Sequence, residues 1–224
     1  MLDHNDVELA ESKGTWKGKP FILTFTGKVV PFDNVTFDCI DIRDIAHSLS
    51  QLCRFTGHTN LFYSVAQHSL LVSEKMPGGP AEKLVGLLHD AAEAYTNDLA
   101  SPLKKYMRNK EMEWEGVIND VYGYLQDSIT ALIYDKYGVT SIPDDVRLFD
   151  QAACVFEAEG FLGLTVESLE HYSFPIALRE LWTPWEPVNF ASKNSDMEMG
   201  RVEVQFLRRF EDLMDQLGRK HDND

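Results

Sequence analysis

The chain has 224 residues, 44% hydrophobic and 25% charged, proportions that suit one folded domain with a well-buried core and are marginal for two. A formal charge of −15 excludes general affinity for nucleic acid polymers and anionic membranes, which want clustered Lys and Arg. Three cysteines without a CxxC pair, no apolar signal core and no apolar run of membrane-spanning length point to a reducing cytoplasm.

Residues 1–19 are polar with few aliphatics and are expected to form a weakly ordered segment ahead of one domain spanning 20–224. Phe21–Phe25 and Val29-Val30 flank Thr26-Gly27-Lys28, the pattern of a short β-hairpin. Beyond it the periodicity is helical. Ile42, Ile45, Ala46, Leu49, Leu52 and Cys53 recur at steps of three and four, predicting an amphipathic helix from Asp41 to about Phe55, with Asp41 and Asp44 read as solvated. A second helix is expected over Phe62–Lys75, before the loop Pro77-Gly78-Gly79-Pro80, and a third over Ala81–Thr96. Ser101-Pro102 reads as an N-cap followed by proline at the first helical position. A long polar helical region over Lys110–Lys136 is expected to bend near Gly123, and another helix to run from Val146 to Glu159 with Gly160 as its stop. The segment 171–188 is irregular and aromatic, and its Trp182 and Trp185 read as a surface loop docked on the core, or as a pocket cap or dimer contact. A last helix over Met197–Leu217 carries Phe206, Leu207, Phe210, Leu213, Met214 and Leu217 on one stripe. The fold class is mostly α, a single helical bundle with a β-hairpin near its start.

The third helix holds the chemistry. Its body is apolar, yet it carries adjacent His89 and Asp90, and Glu93 follows on the same face. Burying such groups costs several kcal/mol unless they are paired or bind metal. His68 upstream and Asp150 downstream complete a set of two imidazoles and two carboxylates, a mixed N/O set that suits Mn, Fe, Co, Ni or Zn. By itself a His-Asp dipeptide is more often a core histidine beside a capping or ion-paired aspartate.

His68, the apolar-flanked His89-Asp90 pair and Asp150 resemble the H…HD…D pattern of the HD-domain superfamily of metal-dependent phosphohydrolases. Leu88-His89-Asp90-Ala91-Ala92-Glu93-Ala94-Tyr95-Thr96-Asn97-Asp98-Leu99-Ala100-Ser101-Pro102-Leu103-Lys104 is similar to the HD-E-(x)4-D-L-x-x-P-x-K segment of its bacterial 5′-deoxynucleotidases. Tyr63–Ser69 resembles their V-A-E-H-S element, with Gln67 where glutamate is common, and Arg54-Phe55 their Arg-aromatic pair. The matching region runs from about Asp41 to Glu159.

The resemblance implies an HD-type bundle in which His68, His89, Asp90 and Asp150 hold one divalent transition metal, there being no further histidine tandem of the two-metal kind after His89. It implies acid-base work for Glu93 and a place for Asp98 near the attacking water or the sugar, against a plain turn role for Asp98. Arg54 is implied to grip phosphate, its alternative being a surface cation at a helix end. Phe55 is implied to stack on sugar or base, against a core role, and Lys104 is a weaker phosphate candidate. His58, in an expected loop, is a further site candidate. The implied enzyme is a phosphohydrolase of (deoxy)nucleotides that releases phosphate from a deoxynucleoside 5′-monophosphate. Two alternatives accompany it: a triphosphohydrolase similar to small phage dATPases, releasing tripolyphosphate, and a non-catalytic nucleotide-binding module. The C-terminal stripe either closes the monomer's core or builds a homodimer or higher homo-oligomer, which the resemblance favours.

Overall fold

Strand structure starts earlier than the composition suggests. In the computed structural model, which describes residues 15–115, 120–182 and 199–219, β1 (Thr15–Trp16) pairs antiparallel with β2 (Lys19–Leu23). β2 pairs in turn with β3 (Val29–Pro31), Ile22 opposite Val30, as the expected hairpin. Residues 1–14 lie outside the described residues. The hairpin closes through Thr24, whose carbonyl accepts from Gly27 N–H at 2.9 Å, with Gly27 at φ +81, a conformation open to glycine. Asp44 then docks the turn: its carboxylate accepts from Thr26 N–H at 2.7 Å and from Thr26 Oγ1 at 2.8 Å. Asp44 is buried by this pairing, and Asp41 caps the helix that follows by accepting from Arg43 N–H, so neither is the solvated acid expected.

The helices follow in the order α1 (Ile42–Gln51), α2 (Val65–Lys75), α3 (Pro80–Leu88), α4 (Glu93–Thr96), α5 (Ser101–Glu115), α6 (Val121–Lys136), α7 (Asp145–Phe161), α8 (Val166–His171) and α9 (Met199–Gln216). Short 3-10 turns at Phe37–Cys39, Arg54–Gly57 and Ile176–Trp182 join some of them. The chain is mostly helical, as expected. Several boundaries differ for local reasons. α1 stops at Gln51 because Cys53 enters a β-bridge with Ser64, which leads the chain into the 3-10 turn at Arg54. The expected Ala81–Thr96 helix is two helices, because residues 89–92 are closed by i→i−3 bonds such as Ala91 N–H to Leu88 O and Glu93 N–H to Asp90 O. Ser101 is the first residue of α5 rather than its cap. The break in the region 110–136 lies before α6, and Gly123 sits in its first turn, where Asp120 Oδ1 accepts its N–H. α7 runs through Gly160 to Phe161. Trp182 ends the last 3-10 turn, while Pro184, Trp185 and Asp222–Asp224 lie outside the described residues.

α9 resolves the use of its stripe. Val202, Phe206, Phe210, Leu213 and Met214 are buried in the main core with residues of α1, α2, α3 and α6, so the stripe closes the chain's own core. Full burial of Phe206 and Phe210 contributes about 1.5–3 kcal/mol each. A second cluster joins Leu71, Val72 and Met76 around α2 to Ala152, Ala153 and Phe156 of α7. α2 is thereby fixed between α3 and α7. The approach of α3 is close: a Cβ on Gly86 would lie 2.7 Å from Met76 Cγ and 3.1 Å from Ser73 Cα. No described helix is long and apolar enough to cross a membrane.

Candidate metal centre

Three elements converge on one point. Ser64 starts α2 with a capping box, accepting from Gln67 N–H while Gln67 Oε1 accepts from Ser64 N–H at 2.9 Å. Gln67 thus does locally what a glutamate there would do. The box sets His68 in the first turn of a helix held on two sides, fully buried. α3 ends at His89 through the tight turn that also carries Asp90 and Glu93. α7 presents Asp150.

The imidazoles meet through Nε2, 3.1 Å apart. Asp150 Oδ1 lies 3.1 Å from His68 Nε2 and 3.9 Å from His89 Nε2, and Asp90 Oδ2 lies 3.5 and 3.2 Å from the same atoms. The other ring nitrogens are occupied behind them: His68 Nδ1 donates to Glu157 Oε1 at 2.6 Å and His89 Nδ1 to the Gly86 carbonyl at 2.8 Å. Those bonds fix the tautomers, leaving both Nε2 lone pairs directed at the space they share, the usual arrangement behind metal-bound imidazoles. Adjacent ligands each about 2.1 Å from an ion lie about 3.0 Å apart, near the 3.1–3.5 Å of four of these separations, the 3.9 Å between His89 and Asp150 being longer. His68, His89 and Asp150 therefore form a group that could hold a metal ion, with Asp90 beside both imidazoles. Nothing in this donor set selects the metal.

Charge points the same way. Asp90, Asp150 and Glu157 face a single Arg54, so with neutral imidazoles the cluster carries a charge of about −2, matched by a divalent cation. Without one, His68 collects a proton: burial and Arg54 push its pKa down, but Glu157 and Asp150 outweigh them and hold it at about 10.

The structure places the remaining candidates as follows. Arg54 is a largely enclosed cation, its side chain 11% exposed, and not the surface arginine weighed as its alternative. Its Nε donates to Glu157 Oε2 at 3.0 Å, and its Nη1 lies 3.7 Å from Asp90 Oδ2. It heads a turn in which Phe55 and Thr56 both take positive φ. Phe55 is partly buried against the cluster of Val155, Ala158 and Leu169, with its ring centroid 5.6 Å from the guanidinium. Glu93 is buried, and its Oε2 makes no hydrogen bond among the described residues. Burial, then Asp90 and Asp98, pushes its pKa up to about 9. Lys104 Nζ is its nearest cation, 3.8 Å from Oε1 and also bonded to Gln126 Oε1 at 3.2 Å. Asp98 is half-buried past Asn97, which turns the chain at φ +72; burial raises its pKa against the pull of Arg54. His58 is exposed at the end of its turn.

Glu157 and Tyr63 were not anticipated from the sequence. Fully buried Glu157 is the hub, accepting from Arg54, His68 and, at 3.0 Å, Tyr63 Oη. Its signal was present in the seven-residue step from Asp150, two turns along one face of α7.

The fold and site define a mostly helical protein with a His/His/Asp group, buried at His68 and partly exposed at His89 and Asp150, that could hold a metal ion. No protein-family model matches the chain. It is 41% identical over 122 residues to the uncharacterized protein YfdR of Escherichia coli K12, covering 54% of this chain and 61% of that one. It is 33% identical over 138 residues to an uncharacterized protein of Rhodobacter capsulatus, covering 56% of this chain and 65% of that one. The matches thus span less than two thirds of the length of either relative.

Proposed function

We propose that the protein is a metal-dependent phosphohydrolase of nucleotides, releasing phosphate from a deoxynucleoside 5′-monophosphate. The observation that carries this reading is the convergence of two Nε2 lone pairs and the Asp150 carboxylate on one point, backed by Glu157 and flanked by Arg54. The likeness of residues 41–159 to HD-domain phosphohydrolases adds the substrate class. A divalent cation held there would ease ionisation of water and neutralise charge on a phosphoryl group. In the reaction, water adds to phosphorus, the ester P–O bond breaks, and the nucleoside 5′-oxygen leaves with a proton, giving nucleoside and inorganic phosphate. Glu93, with an oxygen free of hydrogen bonds, moves that proton, and Arg54 and Lys104 supply positive charge beside it. Such a proton transfer contributes about 10²–10⁴ in rate.

A second reading, hydrolysis of a deoxynucleoside triphosphate, draws on one observation. Lys104, Lys105 and Arg108 line a cleft of about 460 Å³ with Ser101 and Asn109, and through Lys104 this cationic cleft reaches Glu93, although Arg108 is paired with Asp120. Metal analysis with a panel of nucleoside mono- and triphosphates, reading phosphate and tripolyphosphate separately, tests both. His89→Ala is expected to lose metal and turnover together, and Glu93→Gln to keep metal and lose at least a hundredfold in kcat. A wild-type protein that binds metal and nucleotides yet turns none over would sink the enzyme and leave a binding module.

A further inference from the structure

A second cleft, of about 430 Å³ and lined in part by Glu93, lies between the hairpin, α1, α4 and α6. Its size is in the range of small-molecule sites. Its walls are mainly apolar or aromatic, with Phe32, Leu52, Tyr122 and Leu125 among them, and among the described residues no lysine or arginine lines it. A phosphate tail in the cleft would meet no cation among its lining residues, the Lys104 ammonium standing beside it next to Glu93. Hydroxyl and amide groups edge the floor: Thr96 Oγ1 accepts from Gln126 Nε2 at 3.2 Å, and Tyr122 Oη donates to the Asn97 carbonyl at 2.7 Å. The cleft and the metal-side carboxylates meet through one ammonium, since Lys104 Nζ lies 3.8 Å from Glu93 Oε1 and 5.4 Å from the Tyr122 ring centroid.

We propose that this cleft receives the nucleoside part of the substrate, an uncharged heteroaromatic base with its sugar, stacked on Tyr122 and leaving the phosphate on the far side of Glu93. The assignment rests on the nucleotide reading above, and it makes the hairpin a specificity element, because Ile22 and Phe32 form one wall. Stacking of a base on an aromatic side chain is sequence-tolerant, so this geometry favours binding of several bases over strict choice of one.

The test separates the cleft from the chemistry. 2′-Deoxyadenosine and thymidine, which lack phosphate, are titrated by calorimetry into the metal-loaded wild type, Leu52→Trp and Tyr122→Ala, with 2-deoxyribose as the control. Expected is binding of both nucleosides to the wild type, weakened at least tenfold by Leu52→Trp and at least fivefold by Tyr122→Ala, with metal content equal in all three. Should Leu52→Trp fail to fold, Tyr122→Ala carries the comparison, since Tyr122 is only partly buried. No nucleoside binding by the wild type, or equal binding by the variants, overturns the cleft assignment. Nucleoside binding by a protein that hydrolyses no nucleotide keeps the cleft and sinks the phosphohydrolase. Equal kcat/KM for 2-deoxyribose 5-phosphate and for deoxynucleotides sinks the cleft and keeps the hydrolase.

Discussion

Glu157 decides how much of the centre is preformed. It is a fully buried carboxylate that satisfies one imidazole, one guanidinium and one phenol at once. Burial alone would push its pKa up, but Arg54 and His68 hold it down, so it stays ionised. Glu157→Gln keeps the shape and removes the charge. The variant can offer one oxygen where two were in use, leaving Arg54 with only Asp90, 3.7 Å away, as its counter-ion. Loss of a partner from a buried ion pair costs about 3–5 kcal/mol, and loss of a group behind a metal-bound imidazole weakens metal binding about 10–100-fold. We expect both, read by urea denaturation of the metal-free protein and by metal titration. An unchanged metal affinity would show that His68 needs no help from behind. His68, His89, Asp90 and Asp150 were legible through the H…HD…D resemblance, since a His-Asp pair in an apolar helix only hints at a purpose. Glu157 was not, because its three partners lie in segments distant along the chain and its own neighbours read as an ordinary apolar helix. Arg54 was only half legible: a cation after a helix end has a bland explanation until the fold shows it buried.

At the scale of elements, the distance between the imidazoles is set by how closely α3 lies on α2, and Gly86 allows that approach. A methyl at Gly86 meets Met76 Cγ at 2.7 Å and the Ser73 backbone at 3.1 Å, so the helices must part or Met76 must move. Overpacking of this kind costs about 1–3 kcal/mol. Gly86→Ala should lower stability by that amount and weaken metal binding, since the Gly86 carbonyl also holds His89 Nδ1; a stable variant with full affinity would show that the turn at 89–92 absorbs the shift. The start of α1 gives a pH signature. Asp41 is pushed up by burial, but its bonds from Arg43 and the charge of Lys28 prevail and bring its pKa to about 2, below the unfolded value of 3.8. A depressed carboxylate stabilises the fold above its unfolded pKa, and that contribution fades as pH falls from about 4 to 2. Asp41→Asn, which can still cap, should therefore be less stable than wild type at pH 6 and equal to it near pH 2, by urea midpoints. The stripe Ile42, Ile45, Ala46 and Leu49 made α1 legible, and the stripe of α9 likewise. The division of 81–96 was not legible, because i→i−3 bonding leaves helical dihedrals at His89 and Ala92 and needs no breaking residue. The tightened turn still keeps Asp90 and Glu93, three apart, on one side.

For the whole molecule, the charge of −15 and the proposed anionic substrate pull against each other. Close to the site Arg54 and Lys104 are positive, and at contact distance they govern, with Lys105 and Arg108 lining the cleft that Lys104 shares. Farther out the approaching nucleotide meets the field of the remaining carboxylates. The balance depends on the Debye length, about 30 Å at 0.01 M salt and about 8 Å at 0.15 M. At low salt the repulsion extends across the molecule; at physiological salt only the charges beside the cleft are felt. Added salt should therefore raise kcat/KM for a nucleoside monophosphate, by roughly two- to fivefold between 0.01 and 0.15 M, through the encounter rate and with kcat nearly constant. A triphosphate, with more charge, should show the steeper rise. Lys105→Glu would strengthen the repulsion near the mouth and steepen the dependence further. A kcat/KM that falls with salt would mean that the local cations, and not the net charge, steer the substrate, as the cationic cleft beside α5 would do for a polyphosphate tail.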